Sequence, residues 1–252
     1  MNPQPLKEEV IGRYNTEDYL KYELVNEENY LKLQLLALND TGFNNLEKDL
    51  FSTKQKQATP HAPQSSLPVP RILDLGCATG SLLYLLRERG WETTGVEICG
   101  SQAEYGRKAR KLNISELPLE DNNFPSSYFN VVLASHVIEH LNDPASFVRE
   151  VHRILIPGGN FFVTTPNIAG FQARLFGNRW RSAIFDHLYL FSIKTLKRLL
   201  EDAGFIIEKT VSWGGLAAGS APAPLKRFLD RAAKRFGFGD VVIIRSRKSS
   251  EI

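Results

Sequence analysis

From Pro70 onward the chain alternates short apolar runs with helical patterns: RILDLG, SLLYLLRERG, ETTGVEI, SQAEYGRKARKL, FNVVLAS, DPASFVREVHRIL and NFFVTT follow one another. Strands separated by helices pair in parallel and place the helices on both faces of the sheet. The pattern therefore predicts an α/β domain with a doubly wound sheet. Past Thr165 the rhythm loosens through PNIAGFQARLFGNRWRSAIFDHLYLFS, then resumes with IKTLKRLLEDAG, FIIEKTVS and a last strand, DVVIIRSRK. The loose stretch, about 166–191, sits where an insertion after the fifth strand forms a lid or a substrate wall.

Ahead of this domain, Glu17 to Asn39 reads as a helix with Leu31, Leu35 and Leu38 on one stripe and Asn39-Asp40-Thr41-Gly42 as its stop. Residues 1–50 are accordingly expected to form a helical N-terminal cap. The stretch 51–69 is polar and repeatedly broken by proline, the composition of a linker, and 70–252 form the main domain. With 252 residues, 42% of them hydrophobic, the chain can bury one substantial core.

In doubly wound sheets ligands sit beyond the carboxyl ends of the strands, where the strand order reverses. The first such loop is LDLGCATGSLL, in which Gly76-Cys77-Ala78-Thr79-Gly80 turns from a strand into a leucine-rich helix. Glycines let the backbone turn sharply and approach a ligand, and the helix turns its first N–H groups toward it. The dinucleotide fingerprint wants glycines at 76, 78 and 81, but Ala78 and Ser81 stand at two of these. Asp74, beside the turn, favours a cationic amino group over a pyrophosphate, and Glu97, ending the second strand, can accept from both hydroxyls of a ribose. A ligand with a ribose, a positive charge and no phosphate is implied, and S-adenosylmethionine fits that description.

The segments ILDLGCATG, GWETTGVEICGSQAEYGRKA, SELPLEDNNFPSSYFNVVLASHVIEHLNDP, REVHRILIPGGNFFVTTPN and HLYLFSIKTLKRLLEDAGF, spanning roughly Ile72 to Ser212, together resemble the class I S-adenosylmethionine-dependent methyltransferases. The likeness is to the small-molecule group similar to the ubiquinone-biosynthesis methyltransferases. It implies a Rossmann-like, mostly parallel seven-stranded sheet. It also implies S-adenosylmethionine as methyl donor, with cofactor contacts at Asp74, Gly76, Cys77, Ala78, Gly80, Glu97, Ile98, Asn113, Ile114, Ser135 and His136. Three positions depart from the family pattern: Ala78 for a glycine, Asn113 where an aspartate often meets the adenine, and Asn130 for an aspartate in the fourth strand.

Within SHVIEHLNDP, His136, Glu139 and His140 also spell H-x-x-E-H, a zinc-peptidase signature. Two histidines at that spacing share a metal only from one helix. His136 instead falls at the end of the strand FNVVLAS, so no metal site is expected, and Glu139 and His140 read as a packed turn under the ligand crevice. A zinc hydrolase remains the alternative those letters allow, and a non-catalytic cofactor-binding module is another. For methyl transfer to an alcohol or phenol a histidine is the natural base, which makes His136 and His187 the catalytic candidates. Nitrogen or carbon acceptors stay open. For His187 a structural role in the turn before Ser192, which would cap IKTLKRLL, is the competing reading.

A net charge of +3 with interleaved acids and bases gives no nucleic-acid stripe. The two cysteines, Cys77 and Cys99, make neither a disulfide framework nor a cysteine zinc site and suit a reducing cytoplasm. No leader-like or membrane-crossing run is read in the sequence. Residues 225–236 place Leu225, Phe228, Leu229, Ala232 and Phe236 on one helical face among basic residues. That face can cover the sheet or touch an anionic membrane surface. The expected partner is a small-molecule acceptor.

Overall fold

The computed structural model describes residues 17–57, 69–214, 231 and 233–250. Two N-terminal helices, α1 (Glu17–Asp40) and α2 (Phe43–Gln57), precede the sheet. There follow β1 (Arg71–Leu75), α3 (Ser81–Glu88), β2 (Glu92–Val96), α4 (Gly100–Arg110), β3 (Ile114–Ser115), β4 (Phe129–Ser135), α5 (Pro144–Ile154) and β5 (Leu155–Pro166). After the insertion, which holds α6 (Phe171–Phe176), come α7 (Ile193–Asp202), β6 (Phe205–Trp213) and β7 (Val241–Lys248). The seven strands lie in the order β3-β2-β1-β4-β5-β7-β6. Only β7 runs antiparallel to its neighbours β5 and β6. Both the predicted strand-helix alternation and the mostly parallel sheet are present.

Strand order reverses between β1 and β4, whose registers match Asp74 with Leu133 and Leu75 with Ala134. The crevice therefore opens where β1 ends at Leu75 and β4 at Ser135. The central strands are apolar on both faces, as parallel strands covered on two sides must be. Leu73, Leu75, Val132, Ala134, Phe161 and Val163 point into one core with Phe147, Val148, Val151 and Ile154 of α5 and Leu196 and Leu200 of α7. Ile72, Val131, Leu133 and Phe162 point the other way. Local chemistry sets the helix starts. Asp143 accepts from Ser146 N–H ahead of Pro144 in α5, and Ser192 forms a reciprocal capping box with Thr195 in α7, the cap expected of it. Asn130 accepts from the Arg71 N–H at 2.8 Å, so the residue that departs from the family aspartate ties β4 to the start of β1.

The N-terminal helices belong to this packing. Ala37, Leu38 and Phe43 are buried with Ile72, Leu82, Leu86, Trp91, Val131, Leu133 and Phe162, and Leu31 and Leu35 of the predicted stripe pack against the same cluster. Phe43 stacks on Trp91 at 5.8 Å and meets Phe162 edge-on at 5.7 Å. Trp91 and Trp213 donate their indole N–H groups back to Glu47 and Asp40. Helix α2 continues to Gln57, into the stretch read as a linker, because Leu50 and Phe51 find apolar partners in the same cluster. Residues 58–68, which include His61 and most of that stretch, lie outside the described residues. So do 225–230 and 232 of the amphipathic segment. Among the described residues no helix is long and apolar enough to cross a membrane.

Phe43 is 1% exposed between two aromatic rings, so Phe43→Ala is expected to cost about 3–5 kcal/mol in urea unfolding. A loss below about 1 kcal/mol would show that the N-terminal helices are peripheral to the sheet.

Candidate functional site

Behind Leu75 the chain makes a compact turn held from β2: Gly76 and Cys77 both donate to Val96 O, at 2.8 and 3.2 Å, and Gly80 N–H closes on Cys77 O at 2.8 Å. Gly76 has φ +72°, and a Cβ there would lie 2.5 Å from Val137 Cγ2. The chain leaving β4 is thus seated directly on the glycine turn. Gly80, at φ +79°, leaves the same 2.5 Å clearance for a Leu112 methyl. Ala78 also takes a left-handed conformation, φ +48°, which costs a side-chain-bearing residue about 1 kcal/mol. Its N–H is held by Glu97 Oε2 at 2.9 Å.

Glu97 is 7% exposed and its other oxygen accepts from Cys99 N–H at 2.8 Å. The carboxylate therefore braces the turn and still has a lone pair on each oxygen for an incoming hydroxyl. Burial pushes its carboxyl up, against the pull of the Cys99 and Ala78 N–H groups. Asp74 is 3% exposed, and burial together with repulsion from Glu97 pushes it up to about 8. Two acids so placed are short of positive charge. A ligand bringing a cation beside a ribose supplies what both lack, and the residues present fit S-adenosylmethionine on that ground.

The other predicted contacts separate into floor and rim. Cys77 and Ile114 are buried in a small apolar cluster with Leu83, Ala103 and Leu112, so their side chains underlie the turn. The Cys77 thiol is pushed up by burial and the two nearby acids. Ile98, 37% exposed, and Asn113, also exposed, stand at the rim after β2 and before β3. Ser135 ends β4, half-buried, with His136 immediately beyond it.

At φ +55° His136 turns the chain sharply after β4. A single 3-10 turn, Ile138–His140, follows, so His136 and His140 do not share a helix. Glu139 in that turn is completely buried. It accepts from His136 Nδ1 at 3.1 Å and from Thr165 Oγ1 at 2.9 Å. The zinc-peptidase geometry is absent, since the glutamate that would activate water is bonded to one of the presumed ligands. His187 joins the network from the insertion. Its ring meets His140 edge-on at 4.8 Å, and donor atoms of Glu139, His140 and His187 lie within 4.8 Å of one another. Each of those two imidazoles gives its Nδ1 to a backbone carbonyl, His140 to Asp186 and His187 to Ser182. His187 thus braces the loop at Ser182 rather than the turn before Ser192, and burial pushes its pKa down.

The insertion rises from a narrow stem, where Asn167 bridges Phe191. Asn167 Nδ2 bonds the carbonyls of Gly237 and Gly239, while Trp180 and Arg181 both bond the buried Asp240 carboxylate. Sequence reasoning missed the contribution of α1. Glu27 bonds the Thr79 hydroxyl and Arg110, and Arg110 in turn bonds Thr79 O at 2.7 Å. A helix from the cap is thereby latched to the glycine turn. Nothing sets Glu27 apart from the other charges of α1 until the partner side chains are brought beside it.

Comparison with known proteins agrees with this geometry. The family model "Methyltransferase domain" matches residues 37–210, more than half of the chain. A Mycolicibacterium smegmatis protein named "probable S-adenosylmethionine-dependent methyltransferase" is 35% identical over 146 residues, covering 56% of this chain and 53% of that one. The ubiquinone biosynthesis O-methyltransferase of Pseudomonas aeruginosa is 28% identical over 118 residues, 41% of this chain and 47% of its own length. The matches thus span about half the length of these curated relatives. Among solved structures, an S-adenosylmethionine-dependent methyltransferase from Thermotoga maritima superposes with TM-score 0.57 at 25% identity, over 74% of this chain and 86% of that chain. With its reversed strand order, acid-lined glycine turn and matching family model, the chain belongs to the S-adenosylmethionine-dependent methyltransferases.

Proposed function

We propose that the protein transfers the methyl group of S-adenosylmethionine to an oxygen of a small-molecule acceptor, a phenol or quinol, a sugar or a lipid-linked metabolite. The observation that carries this reading is the half-exposed imidazole of His136, held at the mouth of the crevice by the chain that lies on Gly76. The O-methyltransferase relative supports an oxygen acceptor. The methyl donor supplies an activated carbon on a sulfonium whose departure as a neutral thioether needs no help from the protein. The chain's own tasks are alignment, exclusion of water and removal of the acceptor's proton. In this reading Asp74 meets the ammonium of the methionine moiety, Glu97 the ribose hydroxyls, and Ile98 and Asn113 the adenine. His136 takes the proton, and the insertion at about 166–191, with His187, walls the acceptor. We assign the N-terminal helices the role of a cap and place the protein in the cytoplasm without a nucleic-acid partner.

Calorimetric titration with S-adenosylhomocysteine is expected to show one saturable site that Glu97→Ala weakens at least about tenfold, since hydrogen bonds to a buried charge contribute about 1.5–3 kcal/mol. Labelled methyl transfer to hydroxylated acceptors is then the activity test. Binding without transfer to any of them would reduce the protein to a cofactor-binding module, and absence of binding would overturn the reading altogether.

Asp74 gives the binding a pH dependence of known sign. Its carboxyl is neutral below about 8 in the free protein, and an ammonium partner favours the ionised form, so binding releases a proton between the bound and free pKa values. Affinity for S-adenosylhomocysteine is expected to rise about tenfold or more from pH 6 to 8. Asp74→Asn should flatten most of the rise, and a pH-independent affinity in the native chain would remove Asp74 from the site.

A further inference from the structure

We propose that Glu139 and His136 form a dyad in which the buried carboxylate is a positioning residue, fixing His136 as the Nδ1–H tautomer with Nε2 presented to the acceptor. The inference deepens the oxygen-methylation reading and rests on it for the role of His136, but the dyad is a property of the chain itself.

The geometry is asymmetric in the way such a pair requires. Glu139 is fully buried while the His136 side chain is 48% exposed, and the two meet through Nδ1 at 3.1 Å. An ionised carboxylate only accepts, so the proton on that bond belongs to the imidazole. Nε2, on the far side of the ring, then carries the lone pair, on a side chain that is nearly half exposed. Glu139 cannot swing to follow the ring, because its second oxygen is held by the Thr165 hydroxyl at 2.9 Å and its own backbone carbonyl accepts from Tyr189 N–H at 3.1 Å. The backbone of His136 is equally constrained. Its N–H bonds Thr164 O at 2.9 Å, and it occupies the left-handed region at φ +55°. Strain of this kind persists only where the surroundings over-determine it, and it concentrates at working sites.

The charge state is consistent with the assignment. Burial pushes the Glu139 carboxyl up, but the His136 hydrogen bond, joined by the positive charge of that ring once it is protonated, carries it below the usual carboxylate range. His140 and His187 complete the surroundings, each directing Nδ1 to a carbonyl, so neither uses its Nδ1 to compete with His136 for the carboxylate. In the reaction the acceptor O–H proton passes to His136 Nε2 while the acceptor oxygen gains the methyl carbon. The carbon–sulfur bond breaks with its electron pair going to sulfur. Glu139 stays ionised and faces the imidazolium so formed.

The deciding measurement is a long-range 1H–15N correlation on the full chain labelled with 15N-histidine, at a pH where imidazole is neutral, with His136 assigned through His136→Gln. A protonated Nδ1 and a bare Nε2 are expected for His136; a protonated Nε2 in the native chain overturns the dyad. In parallel, methyl transfer to the probe 3,4-dihydroxybenzoate is expected to lose about 100-fold in kcat in Glu139→Gln, with S-adenosylhomocysteine affinity within twofold of native. His136→Gln/Glu139→Gln should be no slower than His136→Gln alone. Independent, additive losses in the double variant, or an unchanged kcat in Glu139→Gln, would also overturn it. If Glu139→Gln does not fold, Thr165→Val frees the second carboxylate oxygen and is read in the same way. No transfer to hydroxyl acceptors while Nδ1 remains protonated overturns the oxygen-methylation reading and leaves the dyad in place.

Discussion

Desolvated carboxyl groups organise this protein. Asp74 stands at the end of β1 and Glu97 just past β2, both nearly sealed from water and both raised in pKa by that sealing. Carboxylates in such surroundings are expensive unless something compensates them. Part of the compensation is internal: Glu97 gathers the N–H groups of Ala78 and Cys99 and in doing so sets the left-handed turn at Ala78. Neighbouring elements are packed around the same two acids. Val137 lies against Gly76, Leu112 and Ile114 fill the space beside Gly80, and α1 reaches over to Thr79.

A second acid repeats the pattern on the other side of the crevice with a different outcome. Glu139 is as buried as Asp74 but is surrounded by donors, so it is held low where Asp74 is held high. Carboxylates a few residues from the ends of adjacent strands are thus tuned in opposite directions: burial and the repulsion of Glu97 raise Asp74, while the hydrogen bond and charge of His136 outweigh burial at Glu139. The low one is committed within the protein, to His136 and Thr165.

Much of this was legible before any coordinates. Strand and helix periodicity located the sheet, because each central strand is apolar on both faces and each helix on one. The placement of Asp74, the glycine turn and Glu97 was legible because it depends on position relative to a strand end, which periodicity supplies. What could not be read depends on contacts between distant segments. Glu27 reaches Arg110 across 83 positions and Trp213 reaches Asp40 across 173. His187 sits beside His140 only because the insertion folds back. The H-x-x-E-H letters show the converse. Their spacing spells a metal signature that the strand end at His136 already argued against, and a strand end at φ +55° followed by a 3-10 turn makes the same residues a hydrogen-bonded bracket. The extension of α2 to Gln57 was hidden for another reason, since polar residues past Leu50 carry no periodic signal of their own.

The stem of the insertion has a consequence for descent as well as for chemistry. Its two strands meet at a single bridge between Asn167 and Phe191, and the anchors beneath it, Asn167 and Asp240, are fully buried. Loop closure depends weakly on length once the ends are pinned. The segment between Asn167 and Phe191 can lengthen, shorten or change composition while the two ends of the stem stay as they are. Such a socket lets a lineage rewrite the exposed positions of this segment without renegotiating the fold.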